Sequence, residues 1–424
     1  MTEVRHTDAG PSSPLRGRPA DDVADPAFWA LPERERADAF ARLRAAGGPR
    51  FVPGHGRDEG FYAVVRHADV MTASTSPQLF ASEPSVTTPP PPAWVRAVFG
   101  DSMVNLDGDR HTELRRIVQR AFTPRRVALI EESISRVART VVDDVLARGS
   151  GDVVSTIAAP VPTHVICEMM GIPPERRGWV LAQVDGSTEL IGVEGAGRRR
   201  LRVPGRNLAA LVRLHLLVRR IGRDRRARPA GDLVSDLVSA EVGGDRLDGR
   251  RLGAFFSLLL VAGIETTRNA VAHGVRLLSE HPDQRALLLS DLDRHLDGAV
   301  EEILRVSTPI VQFRRNVAGD TELGGTPLPA GARVVLFYAS ANRDEAVFTD
   351  PDRFDITRRP NPHLAFGGTG PHYCLGAHLA RRELRTLFRE LLERAPGIRT
   401  TGPAETVPSS FDHRIRRLPF TVDR

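Results

Sequence analysis

A helical period runs unbroken from Asp248 to Glu280, and its centre, Ala254 to Ile264, is nearly all apolar. Eleven such residues fall far short of the roughly 20 that a bilayer span needs, so this is the core helix of a large domain and not a membrane segment. Further helical periods run from His111 to Ala121, Val127 to Ala147, Leu208 to Ile221, Ala286 to Val306 and Leu375 to Arg394. Strand patterns are few: Phe51 to Val65 reads as an early strand or hairpin and Arg333 to Phe337 as another. The chain is mainly α. No repeat and no linker divides its 424 residues, so one domain from residue 26 to 424 is expected behind a polar, Gly- and Pro-containing tail, 1–25, that is expected to be disordered. Pro89 to Pro92, Gly192 to Gly205 and Arg219 to Arg228 are expected as mobile surface loops.

Composition narrows the function. Hydrophobic residues make up 41% and charged residues 26%, enough to enclose a buried cofactor. The formal charge is +6, but all 59 basic residues are arginine, a coding habit that creates no particular basic surface, so nucleic-acid binding is not expected. The N-terminus lacks the apolar segment of a signal peptide, and a cytoplasmic protein is expected. In that reducing compartment the two cysteines, Cys167 and Cys374, remain thiols.

Cys374 stands at the start of a helix, behind the Gly-rich run Phe366-Gly367-Gly368-Thr369-Gly370-Pro371-His372-Tyr373. A helix N-terminus favours a thiolate, and glycines let backbone approach a flat group. Taken alone, the loop is equally compatible with a buried structural cysteine. Within the long helix, Glu265 and Thr266 interrupt the apolar run, and Thr266 is placed to bond the carbonyl four residues back, at Ala262. Glu302 and Arg305 share one helical face. Cys167 has no comparable setting and reads as a buried apolar filler.

These segments resemble the cytochrome P450 family. Its Phe-Gly-x-Gly-x-His-x-Cys-x-Gly signature is met with one extra residue between Phe366 and Cys374, a variant found among bacterial members that oxidise steroids and branched lipids. Four segments occur in family order from about residue 30 onward. The resemblance implies a helical prism with a small β-rich lobe around haem b, with Cys374 as axial thiolate ligand of the iron. It implies that Glu265 relays protons and Thr266 orders the oxygen intermediate, and that Glu302, Arg305 and Arg358 lock the proximal core. It further implies that His111, Arg115, Arg315 and His372 hold the two haem propionates, whose buried charge needs such partners.

The activity implied is insertion of one oxygen atom from dioxygen, a hydroxylation or epoxidation, with electrons from a ferredoxin and its reductase, in a monomer. Arg115, Arg116, Arg120, Arg381 and Arg382 offer a basic face to an acidic ferredoxin. By the same resemblance the substrate pocket is lined by Leu258, Val261, Ala262, Val311, Phe313, part of Pro92 to Phe99, and the Ser409-Ser410-Phe411 turn. A lining so apolar suits a large hydrophobic molecule, a steroid or terpenoid or a polyketide-type secondary metabolite. An oxidative coupling or ring-forming catalyst retains the same ligand set, and a non-enzymatic haem sensor is the reading from another class, though it has no need of Glu265 and Thr266.

Overall fold

The computed structural model describes residues 22–55, 59–88, 102–119, 124–188, 205–230, 232–239, 241–242, 245–246 and 249–423. In chain order its helices are α1 (Pro26–Trp29), α2 (Glu33–Ala45), α3 (His67–Thr75), α4 (Gly108–Gln119), α5 (Pro124–Arg148), α6 (Pro160–Met169), α7 (Pro174–Thr188), α8 (Gly205–Ala227), α9 (Leu233–Val238), α10 (Gly249–Glu280), α11 (Pro282–Ser290), α12 (Leu292–Ser307), α13 (Tyr338–Ala341) and α14 (Ala377–Arg394). The main sheet joins β1 (Arg50–Val52), β2 (Phe61–Val64), β3 (Phe80–Ala81), β7 (Gln312–Val317) and β10 (Arg333–Phe337) in the order β1-β2-β10-β7-β3. The rest are a three-stranded sheet of β4 (Ser150–Asp152), β14 (Pro419–Val422) and β11 (Ile398–Thr400), and the pairs β5 (Glu241–Val242) with β6 (Asp245–Arg246), β8 (Thr321–Leu323) with β9 (Thr326–Leu328) and β12 (Glu405–Thr406) with β13 (Ile415–Arg417). The strands expected at Phe51–Val65 and Arg333–Phe337 are both in this sheet, and β2 and β10 pair in parallel with Ala63 opposite Val335.

The long helix is the axis of the helical body. Its buried residues Phe256, Leu260, Ile264, Val271 and Val275 belong to one core with α5, α6, α8, α12 and α14. Gly263 is there because of how closely α6 approaches: a Cβ would come within 2.5 Å of Ile166 Cδ1. The helix stops at Glu280 because Pro282 pushes His281 out of helical geometry and then starts α11. A second core, of Val23, Phe28, Trp29, Phe40, Phe61 and Phe337, seats the N-terminal helices on the sheet. Trp29 stacks on Phe337 with ring centroids 6.2 Å apart. Among the described residues, no helix is long and apolar enough to cross a membrane.

Three expectations change. The tail expected over 1–25 lies outside the described residues up to residue 21, but its end is ordered, because Val23 is buried and its carbonyl accepts the Trp29 indole N–H at 3.1 Å. The period read as one helix from Ala286 to Val306 is two helices, divided at Asp291, whose extended backbone ends α11 and whose carboxylate caps α12 by accepting Arg294 N–H at 3.0 Å. The loop expected at Arg219–Arg228 is helix as far as Ala227, since arginine is a good helix former and no proline intervenes before Pro229. The other two expected loops fall outside the described residues, save Gly205, which begins α8.

Candidate active site

The loop from Pro362 leads into α14, and Cys374 closes it by donating its backbone N–H to Phe366 O at 2.9 Å. Gly367 adopts φ +82°, a left-handed conformation that a side chain would strain. Gly368 and Gly370 seat the loop on α3, where a Cβ would meet Ser74 Cβ at 2.5 Å and Ser74 O at 2.1 Å respectively. Despite the extra residue in the loop, Phe366 is held under the Arg381 guanidinium, 4.4 Å from its ring centroid. The N-cap of α14 is Gly376, so Cys374 stands just ahead of the helix. Burial pushes its thiol above the ordinary value and outweighs the Gly376 amide and the charges of Arg115 and Arg381, all of which favour the thiolate. The helix end alone does not ionise this cysteine, whereas a metal bound to sulfur does so outright. Although enclosed by protein, Cys374 presents accessible surface, as the lining of an interior cleft does.

The facing wall is α10. Ala262 is exposed and Leu258, Val261 and Thr266 are half-buried, although residues on both sides of them, Leu260, Ile264, Glu265 and Thr267, are buried. One stripe of the core helix is therefore left accessible inside a run that is otherwise buried. Thr266 donates its hydroxyl to Ala262 O at 2.6 Å while the helix stays continuous. Glu265 points the other way: its Oε2 accepts Arg268 Nη2 at 2.6 Å, and Arg268 Nη1 reaches Asp185 Oδ1 on α7 at 2.5 Å. Arg414, bonded to Asp412 at 2.7 Å, lies 3.8 Å from the same Glu265 oxygen. Burial raises the Glu265 pKa against the pull of Arg268 and Arg414, with Asp185 and Asp412 adding to the rise. Its Oε1 is buried without a partner.

Four groups converge beside the cysteine from α4, β7 and the loop. His111 and His372 lie ring against ring, with centroids 4.2 Å apart. His372 Nε2 is 3.1 Å from both Asp107 Oδ1 and Ser82 Oγ. Burial, His372 and Arg115 push His111 down to about 4, so it is neutral near pH 7. Burial also lowers His372, helped by the charges of Arg315 and Arg115 and opposed by Asp107. Arg115 donates to Tyr373 O at 2.7 Å, and Arg315 to Arg314 O at 2.8 Å beneath the Phe313 ring. Among the described residues neither guanidinium has a carboxylate partner. Arg315 is buried and Arg115 half-buried, and cations so placed without a counter-charge favour an anion between them, a requirement that the two propionates of haem would meet.

On the proximal side Glu302 and Arg305 are fully buried and joined twice, Nε to Oε2 and Nη2 to Oε1, each at 2.8 Å. Arg358 Nε reaches Glu302 Oε1 at 3.2 Å. Arg305 also donates to the carbonyls of Asn342, Pro351 and Arg353. Sequence reasoning missed Asn361, whose amide donates to Glu302 Oε2 at 3.0 Å, and Asn342, whose side chain joins Thr308 to the backbone of Leu364. No local pattern marks such long-range partners.

Two expectations about surroundings are corrected. Val311 does not line the pocket: it has no accessible surface, because the chain just ahead of β7 turns it into the aromatic core with Trp29, Phe40 and Phe337. Its neighbour Ile310 is half-buried and bridged to Asp412. Phe313 and Phe411 are half-buried with centroids 5.9 Å apart, while Pro92 to Phe99 lies outside the described residues. The basic proximal face is largely neutralised. Arg381 pairs with Glu301 and Arg382 with Glu131, Arg115 turns inward, and Arg120 lies outside the described residues, which leaves Arg116 exposed.

The family model described as Cytochrome P450 matches residues 218–394. A methyl-branched lipid omega-hydroxylase of Mycobacterium tuberculosis is 41% identical over 403 residues, which cover 93% of this chain and 92% of that protein. A steroid C26-monooxygenase of the same organism is 34% identical over 411 residues, covering 94% and 92%. Among solved structures, a Mycobacterium marinum cytochrome P450 in complex with pseudoionone superposes with a TM-score of 0.88 at 40% identity, covering 96% of this chain and all of the other.

Proposed function

The chain belongs to the cytochrome P450 family and is a monooxygenase, and from that premise we propose that it hydroxylates a large, branched, hydrophobic molecule of the lipid, steroid or terpenoid kind. The observation that carries the reading is the accessible apolar stripe of Leu258, Val261 and Ala262 on the core helix, together with the half-buried ring pair of Phe313 and Phe411. Burying nonpolar surface there contributes about 25 cal/mol per Å², and the stripe offers nothing to anchor a charged or sugar-rich molecule. The relatives support branched substrates, one being a hydroxylase of methyl-branched lipids and one of steroids, while a polyketide-type metabolite is the competitor that the test below separates.

In this reading Cys374 would supply the thiolate that holds the haem iron, and His111, Arg115, Arg315 and His372 would hold the propionates. Haem in that seat supplies activation of dioxygen, which its thiolate ligand favours by donating electron density. The protein manages protons. Glu265 keeps its proton to higher pH than an ordinary carboxyl. The Asp185 side chain, half-exposed, brings solvent contact to Arg268 and so to Glu265. Glu265 holds its proton on the side of α10 turned away from Thr266, while the Thr266 hydroxyl, its own hydrogen committed to Ala262 O, keeps its lone pairs free to accept a hydrogen bond from the reaction side. Electrons come from a ferredoxin and its reductase, and with Arg381 and Arg382 paired off, docking rests on shape and on Arg116 more than on a broad basic field.

Titrating the haem-loaded ferric protein with methyl-branched fatty acids, sterols, terpenoids and macrolides, and watching for the high-spin shift, tests the substrate class. Branched lipids, sterols or terpenoids are expected to give the shift; a response only to macrolides, or only to hydrophilic compounds, overturns the reading. The ligand is tested separately: Cys374→Ala removes the long-wavelength Soret band of the reduced carbon monoxide complex, and an unchanged band excludes Cys374.

A further inference from the structure

Four large apolar side chains stand exposed among the described residues, and three of them are gathered on two adjoining helices: Trp179 on α7, and Val212 and Leu216 on α8. Leu216 is 55% exposed and Trp179 41%. Gln183 stitches the helices together, donating to Trp179 O and accepting from Arg213, so Trp179 lies within one turn of that bridge. Along the outer face of α8 the spacing from Val212 through Leu216 to Arg219, Arg220 and Arg223 follows successive turns and spans about 16 Å. All three arginines are exposed, and none has a carboxylate partner among the described residues. On α14, by contrast, Arg381, Arg382, Arg385, Arg389 and Arg394 each pair with an acid. The cationic excess on α8 is therefore local and not a general result of an arginine-rich composition.

We propose that this face of α7 and α8 is a docking surface for an anionic lipid bilayer, on which the protein sits peripherally. Guanidinium groups are attracted to anionic headgroups, while a Trp ring and a leucine beside them enter the boundary between headgroup and acyl chain. The charge complementarity points to an anionic surface. Convex exposed apolar side chains, in place of a pocket, point to lipid and not to the acidic face of a protein. Both helices pack within the body that holds the long helix. The inference does not depend on the identity of that substrate.

Haem-loaded, full-length protein is sedimented with vesicles of phosphatidylcholine containing about a third phosphatidylglycerol, and with vesicles of phosphatidylcholine alone. Partition onto the anionic vesicles, weakened by salt, is expected. The triple variant Arg219→Gln, Arg220→Gln, Arg223→Gln is expected to bind on the order of a hundredfold more weakly. Trp179→Ala with Leu216→Ser is expected to weaken binding without altering its salt dependence. Removing the same charge from α14 through Arg385→Gln, Arg389→Gln and Arg394→Gln is expected to leave partition unchanged. The reduced carbon monoxide spectrum and thermal midpoint of each variant establish that it is folded and loaded. Absence of wild-type binding, equal loss in the α14 variant, or capture by an immobilised acidic carrier protein but not by vesicles overturns the proposal, and none of these outcomes bears on the monooxygenase assignment.

Discussion

Thr266 and Glu265 are neighbours in sequence that face opposite ways: the hydroxyl looks along the accessible stripe of α10, and the carboxylate is held by Arg268. That division predicts different losses. Thr266→Ala is expected to retain haem and to bind substrate normally, because the hydroxyl bonds only its own helix, yet to divert most reducing equivalents to hydrogen peroxide. Product formed per nicotinamide oxidised measures this, and wild-type coupling in the variant removes Thr266 from the proton path. At this scale, what was legible in the sequence was whatever a short spacing encodes. Thr266 bonding Ala262 follows from helical geometry, and the Glu302–Arg305 pair from i, i+3 proximity. Arg268, three residues after Glu265, has that same short spacing but was not read from it, whereas Asp185, 83 residues from Arg268, and Arg414, near the C-terminus, lie on different elements that only the folded chain brings together.

Between elements, the contact of α10 with α14 contains a carboxyl that no mechanism requires. Glu383 is fully buried and bonded to Thr267, and burial pushes its pKa up to about 8 against that bond. In the unfolded chain it titrates near 4.5. The native state therefore holds this proton where the unfolded state has lost it, so stability contributed by Glu383 is complete below about pH 4.5 and is lost as pH rises towards 8. Glu383→Gln keeps the shape and removes the titration. Urea unfolding of the two proteins is expected to show the wild type losing stability from pH 6 to pH 8.5 and the variant losing less; parallel profiles overturn this account. Element boundaries were legible where chemistry is local and misleading where it is not. Asp291 divides α11 from α12 with a cap that the apolar period ran straight across. Arg219 to Arg228 looked like a loop because polar residues dominate, although arginine propensity and the buried Leu217, Val218 and Ile221 keep α8 helical.

Across the whole molecule, Glu302 ties together more distant parts of the chain than any other carboxylate described above. It accepts from Arg305, Asp355 N–H, Arg358 and Asn361, so α12, the segment after α13 and the entrance to the cysteine loop share one buried anion. Glu302→Gln leaves Arg305 as a buried cation without its counter-charge, at a cost of about 3–5 kcal/mol. The expected outcome is a fall in thermal midpoint and in the haem recovered per chain; an unaltered midpoint shows that the network is dispensable. The order of the segments in the sequence indicated this architecture, but the seating of Gly368 and Gly370 on α3 and the turning of Val311 into the sheet core depend on how distant surfaces meet. The two thiols are also placed very differently: Cys167 is sealed in the core with its pKa pushed up to about 12, while Cys374 opens onto the interior cleft. A maleimide added to folded protein should therefore find at most one partner per chain, and the fraction of chains it alkylates becomes a census of those in which no iron guards that sulfur.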